Sequence, residues 1–467
     1  MNNKGYVKTN LLNGFRIEFH ILQSFPVTCL NRDDVGSPKT AMIGGTQRAR
    51  VSSQAWKRPV RMAMHHLGIT HGTRTKLISP LIAEACMERG ATHEQAKACG
   101  DKVEGVFIKE KTQGHFLNEK QIESIVKSFS DAKFDTENKK VKNKISSTIK
   151  NKNEAYSDID EVLSIVEEEC IKKGATKEQA EAFINKIMEE KQKNDEANEM
   201  EGVEDSNTEK TNTLLFLSPN EVSILADSFA EKGFAPDQVI TKKDPKKQAK
   251  EIADLIGKVS ETVDAVDIAL FGRMVAQAAE LNVEASASFA HAISTHKVAN
   301  EVEFFTALDD RSTEPGSAHM GSLEFNSATY YRYVSLDLGQ LARTLSSQSV
   351  PEAVEVFSKA LFLAVPVARQ STQSGASPWG FAKVLVRRGQ RLQVPFETAV
   401  KAENGGFLEP SIEALTKYLS RQEKLHGSLF GKIAEYTYGQ EDSFSIDDLI
   451  SALKRHSSEF ILEGANA

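Results

Sequence analysis

Two adjoining stretches decide how this chain is read: Phe15–Leu22, FRIEFHIL, and Cys29–Arg61, CLNRDDVGSPKTAMIGGTQRARVSSQAWKRPVR. In the first, Phe15, Ile17, Phe19 and Ile21 alternate with Arg16, Glu18, His20 and Leu22, which is strand periodicity. The second gathers Arg32, Lys39, Arg48, Arg50, Lys57, Arg58 and Arg61 against only Asp33 and Asp34. The chain as a whole has a formal net charge of -7, so this basic segment is a local electrostatic feature. It reads as a loop broken by Pro38 and Gly44-Gly45. Its end, from Ser52-Ser53, predicts a helix running to about Leu67, with Pro59 tolerated only close to the first turn. A serine-started helix entry offers free amides, and Ser52, Ser53 and Gln54 add neutral donors beside the cations. That mixture suits holding a polyanion by its phosphates.

Working outward, 467 residues with 40% hydrophobic and 26% charged content describe a globular protein of two or three domains or lobes. Cys29, Cys86, Cys99 and Cys170 are scattered with no CxxC pair, which favours a reducing compartment. The N-terminus carries no apolar signal region. No apolar run of about eighteen residues exists, so no membrane span is expected. These features together predict a cytoplasmic protein.

Residues 76–130 read as helical, with Ile122, Ile125, Val126 and Phe129 on one stripe. From 131 to 212 Lys, Glu and Asn dominate, and KQKNDEANEMEGVEDSNTEKTN at 191–212 reads as a flexible linker. RGATHEQAKA at 89–98 and KGATKEQAEA at 173–182 share a capping-box spacing just after a glycine, read as two independent helix–turn–helix corners. Ser218-Pro219-Asn220-Glu221 predicts an N-cap with a capping box, and Lys246–Val259 a basic helix. Val266–Phe271 reads as a strand, as does the alternation Ala285, Ala287, Phe289, His291. His296–Phe325 is too polar and Gly-rich for core, and a long excursion of that kind is functional or disordered. Strands at Asn326–Leu336, Ala382–Arg387 and Lys432–Tyr438 then alternate with helices at Pro351–Val365, Glu409–Leu425 and Ile446–Leu462. The fold class is α+β, interrupted by a large insertion.

The histidines His65, His66, His71, His291 and His296 have no HExxH spacing or carboxylate set, so no metal is expected. No GxSxG, P-loop or post-strand GxGxxG is present, so no cofactor is expected either. Asp309-Asp310 is a weak magnesium signal and reads as solvated charge. An RNP aromatic signature is missing, so contacts to a nucleic acid would go to its backbone.

The strings CLNRDD, GG..R.RVSSQ.WKR..R, FGRM, AHAI.TH, GSAH.G..EF followed by YYRY, and GFLEPSI resemble, in the same order, the CRISPR Cascade backbone subunit of type I-E systems, the CasC family. The resemblance covers roughly residues 15–80 and 260–415, and the middle, about 125–212, departs from it. It implies a modified RRM (ferredoxin-like) palm with an inserted helical fingers lobe and a protruding thumb hairpin. The palm would take 10–75 and 261–467, with the thumb at 296–325. The fingers would take 76–260, with 125–212 enlarged and partly flexible. It also implies that Arg32, Lys39, Arg48, Arg50, Ser52, Gln54, Lys57, Arg58, Arg61, Arg369, Gln370 and Thr372 line a CRISPR RNA, although VARQSTQSGASPWG departs from the family's loop. Met274, Phe304, Phe305 and His319 would wedge at a kinked nucleotide. Partners would be CRISPR RNA, target DNA paired to the guide, further copies of the chain and other Cascade subunits, with no membrane. The chain would be a scaffold and no enzyme. The competing expectation is an endoribonuclease using His65 or His319 as base. A DNA-binding regulator lacks a convincing helix-turn-helix.

Overall fold

The computed structural model describes residues 14–107, 119–149, 159–200, 214–259, 263–308, 317–345, 349–366, 373 and 375–466. In chain order its strands are β1 Phe15–Thr28, β2 Thr40–Ile43, β3 Thr46–Val51, β4 Thr73–Thr75, β5 Leu215–Leu217, β6 Ala287–Phe289, β7 Ala292–Ser294, β8 Glu301–Leu308, β9 Ser317–Asp337, β10 Phe381–Arg388 and β11 Lys432–Tyr438. The helices are α1 Ser53–His65, α2 Ile78–Met87, α3 His93–Phe107, α4 Glu119–Asp131, α5 Lys139–Ile149, α6 Ile159–Lys172, α7 Lys177–Met200, α8 Pro219–Glu231, α9 Pro236–Val239, α10 Pro245–Val259, α11 Val266–Phe271, α12 Leu338–Thr344, α13 Val350–Leu363, α14 Leu408–His426 and α15 Ile446–Asn466. The fold is α+β. It divides into one unit of Met1–Thr75, Pro80–Cys99 and Leu215–Ala467, and another of Lys76–Ser79 and Gly100–Leu214. Residues 80–99 and 215–260, assigned from sequence to a helical insertion, therefore fall in the sheet unit.

The sheet runs β11-β10-β1-β9-β7-β3-β2, with β6 and β8 also paired to β9. β1 lies between β10 and β9, antiparallel to both. The alternation of β1 directs its residues to two different cores. Ile17, Phe19 and Ile21 meet Val60 and Met64 of α1 and Val354, Phe357 and Leu361 of α13. On the other face Leu22 packs with Tyr331, Phe381, Leu415, Leu419 and Phe430, under α14. Both faces are covered, so the polar residues of β1 are buried as well.

Most of these buried polar groups are bonded, as burial requires, although His20 Nε2 and Arg16 Nε have no hydrogen-bond partner among the described residues. Glu18 meets Arg387 Nε at 2.8 Å, accepts from Leu392 N–H at 2.8 Å, and accepts from the Tyr333 hydroxyl. Tyr331 Oη accepts from Val394 N–H at 3.0 Å, so its own proton goes to His20 Nδ1 at 2.9 Å. Burial pushes the His20 imidazole down to about 3, so it is neutral. Burial also raises the Glu18 carboxyl, against the pull of Arg387.

In the second unit, helices α4–α7 close their own core. Ile122, Ile125, Val126 and Phe129 pack with Val141, Ile145, Val162, Val166, Phe183 and Ile187. The Phe129 and Phe183 rings stack at 4.0 Å. The two corners with capping-box spacing are alike in detail. Thr92 and Gln95 exchange backbone-to-side-chain bonds, and so do Thr176 and Gln179. Each corner follows a glycine with φ near the left-handed region, Gly90 at 94° and Gly174 at 98°.

Four expectations from sequence are corrected. The basic stretch is a β2–β3 hairpin and not a loop. Gly44 and Gly45, at φ 56° and 70°, form its turn, as a two-residue hairpin of this hand needs. Val266–Phe271 is helix α11 and not a strand. Its residues 266–270 are all buried, and a short apolar run buried all round has no period to read. The run 191–212 begins as the last turns of α7, which extends to Met200; its remainder lies outside the described residues. Pro59 also sits inside α1 and beyond its first turn, so the Ala55 carbonyl has no N–H donor at that position.

Candidate nucleic-acid interface

The hairpin and the start of α1 form one surface. Ser52 is the N-cap of α1; its Oγ accepts from Ala55 N–H at 3.4 Å. Asn31 anchors the entry by accepting from Ser52 N–H at 2.9 Å. Trp56, Val60 and Met64 turn inward. That leaves Gln54 and Arg58 exposed and Lys57 half-buried on the outer side.

The seven cations separate into two sets. Arg48 is fully buried. It donates to Ser294 O at 2.7 Å, Phe396 O at 3.0 Å and Glu397 O at 3.3 Å. It therefore ties the hairpin to β7 and to the segment around 396, and its assignment to a nucleic-acid backbone is corrected. A Cβ on Gly44 would lie 2.1 Å from Glu397 O, so the same segment also requires glycine there. Arg61 reaches Asp267 Oδ2 at 2.7 Å and Gly72 O at 3.0 Å and lies over the Phe216 ring. Asp267 is fully buried and also accepts from Gly72 N–H at 2.7 Å. This Arg61 is a tie between α1 and α11, and its assignment as a phosphate contact is likewise corrected.

The other five stay available. Arg32 and Arg58 are exposed and Lys39 half-exposed, and none has a side-chain partner among the described residues. Asp33 forms no ion pair with them among the described residues; its Oδ1 accepts from Val35 and Ser37 N–H. Arg50 bonds His291 Nδ1 at 3.0 Å. Because Arg50 can only donate, that nitrogen accepts, and a neutral His291 carries its proton on Nε2, as a further donor. Lys57 lies 5.8 Å from the Phe289 ring centroid, and burial lowers its pKa. Arg50 N–H donates to Lys39 O at 2.8 Å, so two cations flank the same end of the hairpin. Like charges so placed repel and favour an anion between them. His291 and Phe289 were not singled out as site residues; the AHAI string was their only signal.

A second ribbon, β8–β9, pairs Phe304 with Ser322 and Phe305 with Gly321. Val302, Phe304 and Met320 are exposed, while the Phe305 ring lies where a Cβ on Gly321 would be, at 2.7 Å. His319 lies in β9 opposite Ala307; its side chain, Asp309-Asp310, Arg369, Gln370 and Thr372 lie outside the described residues. Met274 is 84% exposed because its neighbour is an anchor. Arg273 grips Glu221 with two bonds, at 2.6 and 2.8 Å, and also donates to Leu281 O and Phe216 O. His65 Nε2 lies 3.2 Å from Asp267, and its ring stacks on His71 at 3.9 Å. Among the described residues no cluster of three or more potential ligands could hold a metal ion, and no helix is long and apolar enough to cross a membrane.

The model of one protein family, described as CT1975-like protein, matches residues 17–164 and 158–450. A search of curated proteins finds no match. Among solved structures, a chain of a CRISPR RNA-guided surveillance complex in a pre-nicking state is similar with a TM-score of 0.60 and 23% identity, over 95% of this chain and 100% of that one. A second chain, from a CRISPR RNA-guided surveillance complex, has a TM-score of 0.53 and 21% identity, over 94% of this chain and 99% of that one.

Proposed function

The chain belongs to the CT1975-like protein family, and from that premise we propose that it is a CRISPR RNA-binding backbone subunit of a type I-E Cascade surveillance complex. The observation that carries this reading is the set of unneutralised cations Arg32, Lys39, Arg50 and Arg58 on one hairpin–helix surface of a chain with net charge -7. The full-length similarity to chains of CRISPR RNA-guided surveillance complexes supports it. Copies of the chain line up along the guide, beside other Cascade subunits, and present it for pairing with target DNA. The chain is a cytoplasmic scaffold and no enzyme.

The strand order supports a modified RRM palm. β10-β1-β9-β7, with α1 following β1 and α13 following β9, matches the order of the ferredoxin-like unit, and both helices lie on one face. The face an RRM uses to stack bases is filled by α14 and Phe396. Phosphate and sugar are then what the subunit holds, which fits a guide of variable sequence. Arg32, Lys39, Arg50, Ser52, Gln54, Lys57 and Arg58 line the backbone. The β8–β9 ribbon is the thumb. Its exposed Val302, Phe304 and Met320, with Met274, form the apolar wedge at a kinked nucleotide or against the next copy. A thumb-to-neighbour contact is heterologous and builds an open filament. The unit 100–214 is the fingers lobe.

Co-expression with a CRISPR array followed by purification tests this. The expected product is a monodisperse high-mass particle that retains RNA of one length. A chain that emerges free of RNA overturns the reading. Incubation with labelled repeat RNA separates scaffold from nuclease, since a scaffold leaves the RNA intact.

A further inference from the structure

Two pieces of sequence recur in the helical part of the chain. CMERGATHEQAKA at 86–98 has its counterpart in CIKKGATKEQAEA at 170–182, and FLNEKQIESIVKSFSDAKF at 116–134 has its own in FLSPNEVSILADSFAEKGF at 216–234. A capping box recurs wherever helices begin, so the corners by themselves allow independent origins. The structure adds three correspondences that capping does not supply.

The first is the backbone. At the corners, Ala91 N–H donates to Cys86 O and Ala175 N–H to Cys170 O, both at 3.1 Å. Past the ends of α4 and α8, Phe134 N–H returns to Phe129 O at 3.0 Å and Phe234 N–H to Phe229 O at 2.7 Å. Phe134 and Phe234 take φ of 61° and 59°, and the residues before them, Lys133 and Gly233, take 55° and 63°. A bulky residue rarely accepts positive φ, and here one does so twice at the same place. The second is the core. Ile82, Cys86, Cys99 and Val103 correspond to Val166, Cys170, Phe183 and Ile187, all of them buried, as are Phe129 and Phe229. The third is the choice of partner. Corner 86–99 meets the turn after α8: Gln95 Nε2 donates to Gly233 O at 3.5 Å and Cys99 Sγ to Phe234 O at 3.7 Å. Corner 170–183 meets the turn after α4: a Cβ on Gly174 would lie 4.0 Å from the Phe134 ring, and Phe183 stacks on Phe129. Corresponding pieces meet corresponding pieces.

We infer that the helical region is one module present twice, through a tandem duplication. In chain order the copies are α2-α3-α4-α5 and α6-α7-α8-α10. The inner halves, α4-α5 and α6-α7, close the lobe. The outer halves, α2-α3 and α8-α10, make the same module and meet through residues 80–99 and 215–259 of the sheet unit. That module is complete without the lobe, so holding a polyanion on the hairpin and α1 does not use the lobe. This second step rests on the RNA-binding reading above; the duplication does not.

Two variants of the full chain test it. The first replaces residues 108–213 with a Gly/Ser linker of about twelve residues, which spans roughly 20 Å. The second joins Phe129→Ala to Phe183→Ala, which empties the lobe core and leaves its counterpart untouched. The lobe-free chain is expected to melt within about 5 °C of wild type and to bind labelled single-stranded RNA within about twofold of it. The double variant is expected to show fast amide exchange in α4–α7 with protection unchanged in α2, α3 and α8, and the same RNA affinity. An insoluble lobe-free chain, or fast exchange that spreads to α2, α3 and α8, means that the outer halves make no module and overturns the inference. A loss of RNA affinity of about tenfold in either variant while it stays folded overturns the second step alone. If the wild-type chain binds no RNA, the RNA-binding reading falls, and melting and exchange still decide the duplication.

Discussion

The basic hairpin and the four-helix lobe are both rich in lysine or arginine, yet they use these residues differently. Helix α5 carries Lys139, Lys140, Lys142 and Lys144 and no acid. In the lobe, however, acids sit close by and pair locally: Lys142 and Lys186 reach Glu137, and Lys172 reaches Glu169. Such exposed pairs contribute little to stability. In the hairpin and the start of α1, cations are tied into the fold, as Arg48 and Arg61 are, held beside a ring, as Arg50 and Lys57 are, or left without a side-chain partner among the described residues, as Arg32 and Arg58 are. Charge density alone therefore does not mark a polyanion surface. What marks it is charge that the protein itself does not use.

This contrast can be broken at its strongest point. Arg48→Met leaves the carbonyls of Ser294, Phe396 and Glu397 without a donor. It should cost more than about 3 kcal/mol by urea unfolding; a loss under about 1 kcal/mol would mean that the buried set is not structural. Arg61→Ala strips Asp267 of its cation and should cost about 3 kcal/mol, measured the same way. His20 extends the contrast to pH. Its folded pKa lies below the unfolded value of 6.5, so the stability it contributes is present above pH 6.5 and is lost as pH falls toward 3. The slope should reach about 1.4 kcal/mol per pH unit, and His20→Gln should flatten it. Glu18, with its raised pKa, acts in the opposite sense as it protonates. At the surface, Arg50→Glu with Arg58→Glu should weaken RNA binding more than about tenfold at low salt while the melting temperature barely moves. The loss should be the same for every guide sequence. The smallest effect is expected in the lobe: reversing Lys139, Lys140 and Lys144 should change RNA affinity less than about twofold. A loss as large as that of the hairpin variant would erase the contrast.

Much of the fold was legible because its signals are local. The alternation in β1, the stripe of α4, and the capping boxes at Thr92, Thr176 and Ser218 all appear where the sequence pattern places elements. The β2–β3 hairpin escaped because its strands are short and TQRARV is polar; the Gly44-Gly45 turn was its real signature. Helix α11 escaped because apolar runs buried on every side carry no period. At the site, the concentration of cations was legible and their allocation was not. Arg48 is assigned by carbonyls at 294, 396 and 397, and Arg61 by a carboxylate at 267. Nothing within ten or so residues of either arginine announces those partners.

The central position of β1 has a kinetic consequence. Glu18 bonds Leu392 across 374 residues of chain, and His20 bonds Tyr331 across 311. During synthesis the first strand therefore emerges long before either strand that flanks it, while the lobe of α4–α7 has all its core residues within one continuous stretch. Loop closure of that length is slow, and an apolar strand waiting for partners is exposed to aggregation. The lobe is expected to fold first, on the ribosome, and the sheet only after β10 and α14 have been released. Pulsed proteolysis of nascent chains would register this order as early protection of Phe129 and Phe183, followed late by protection of Phe19.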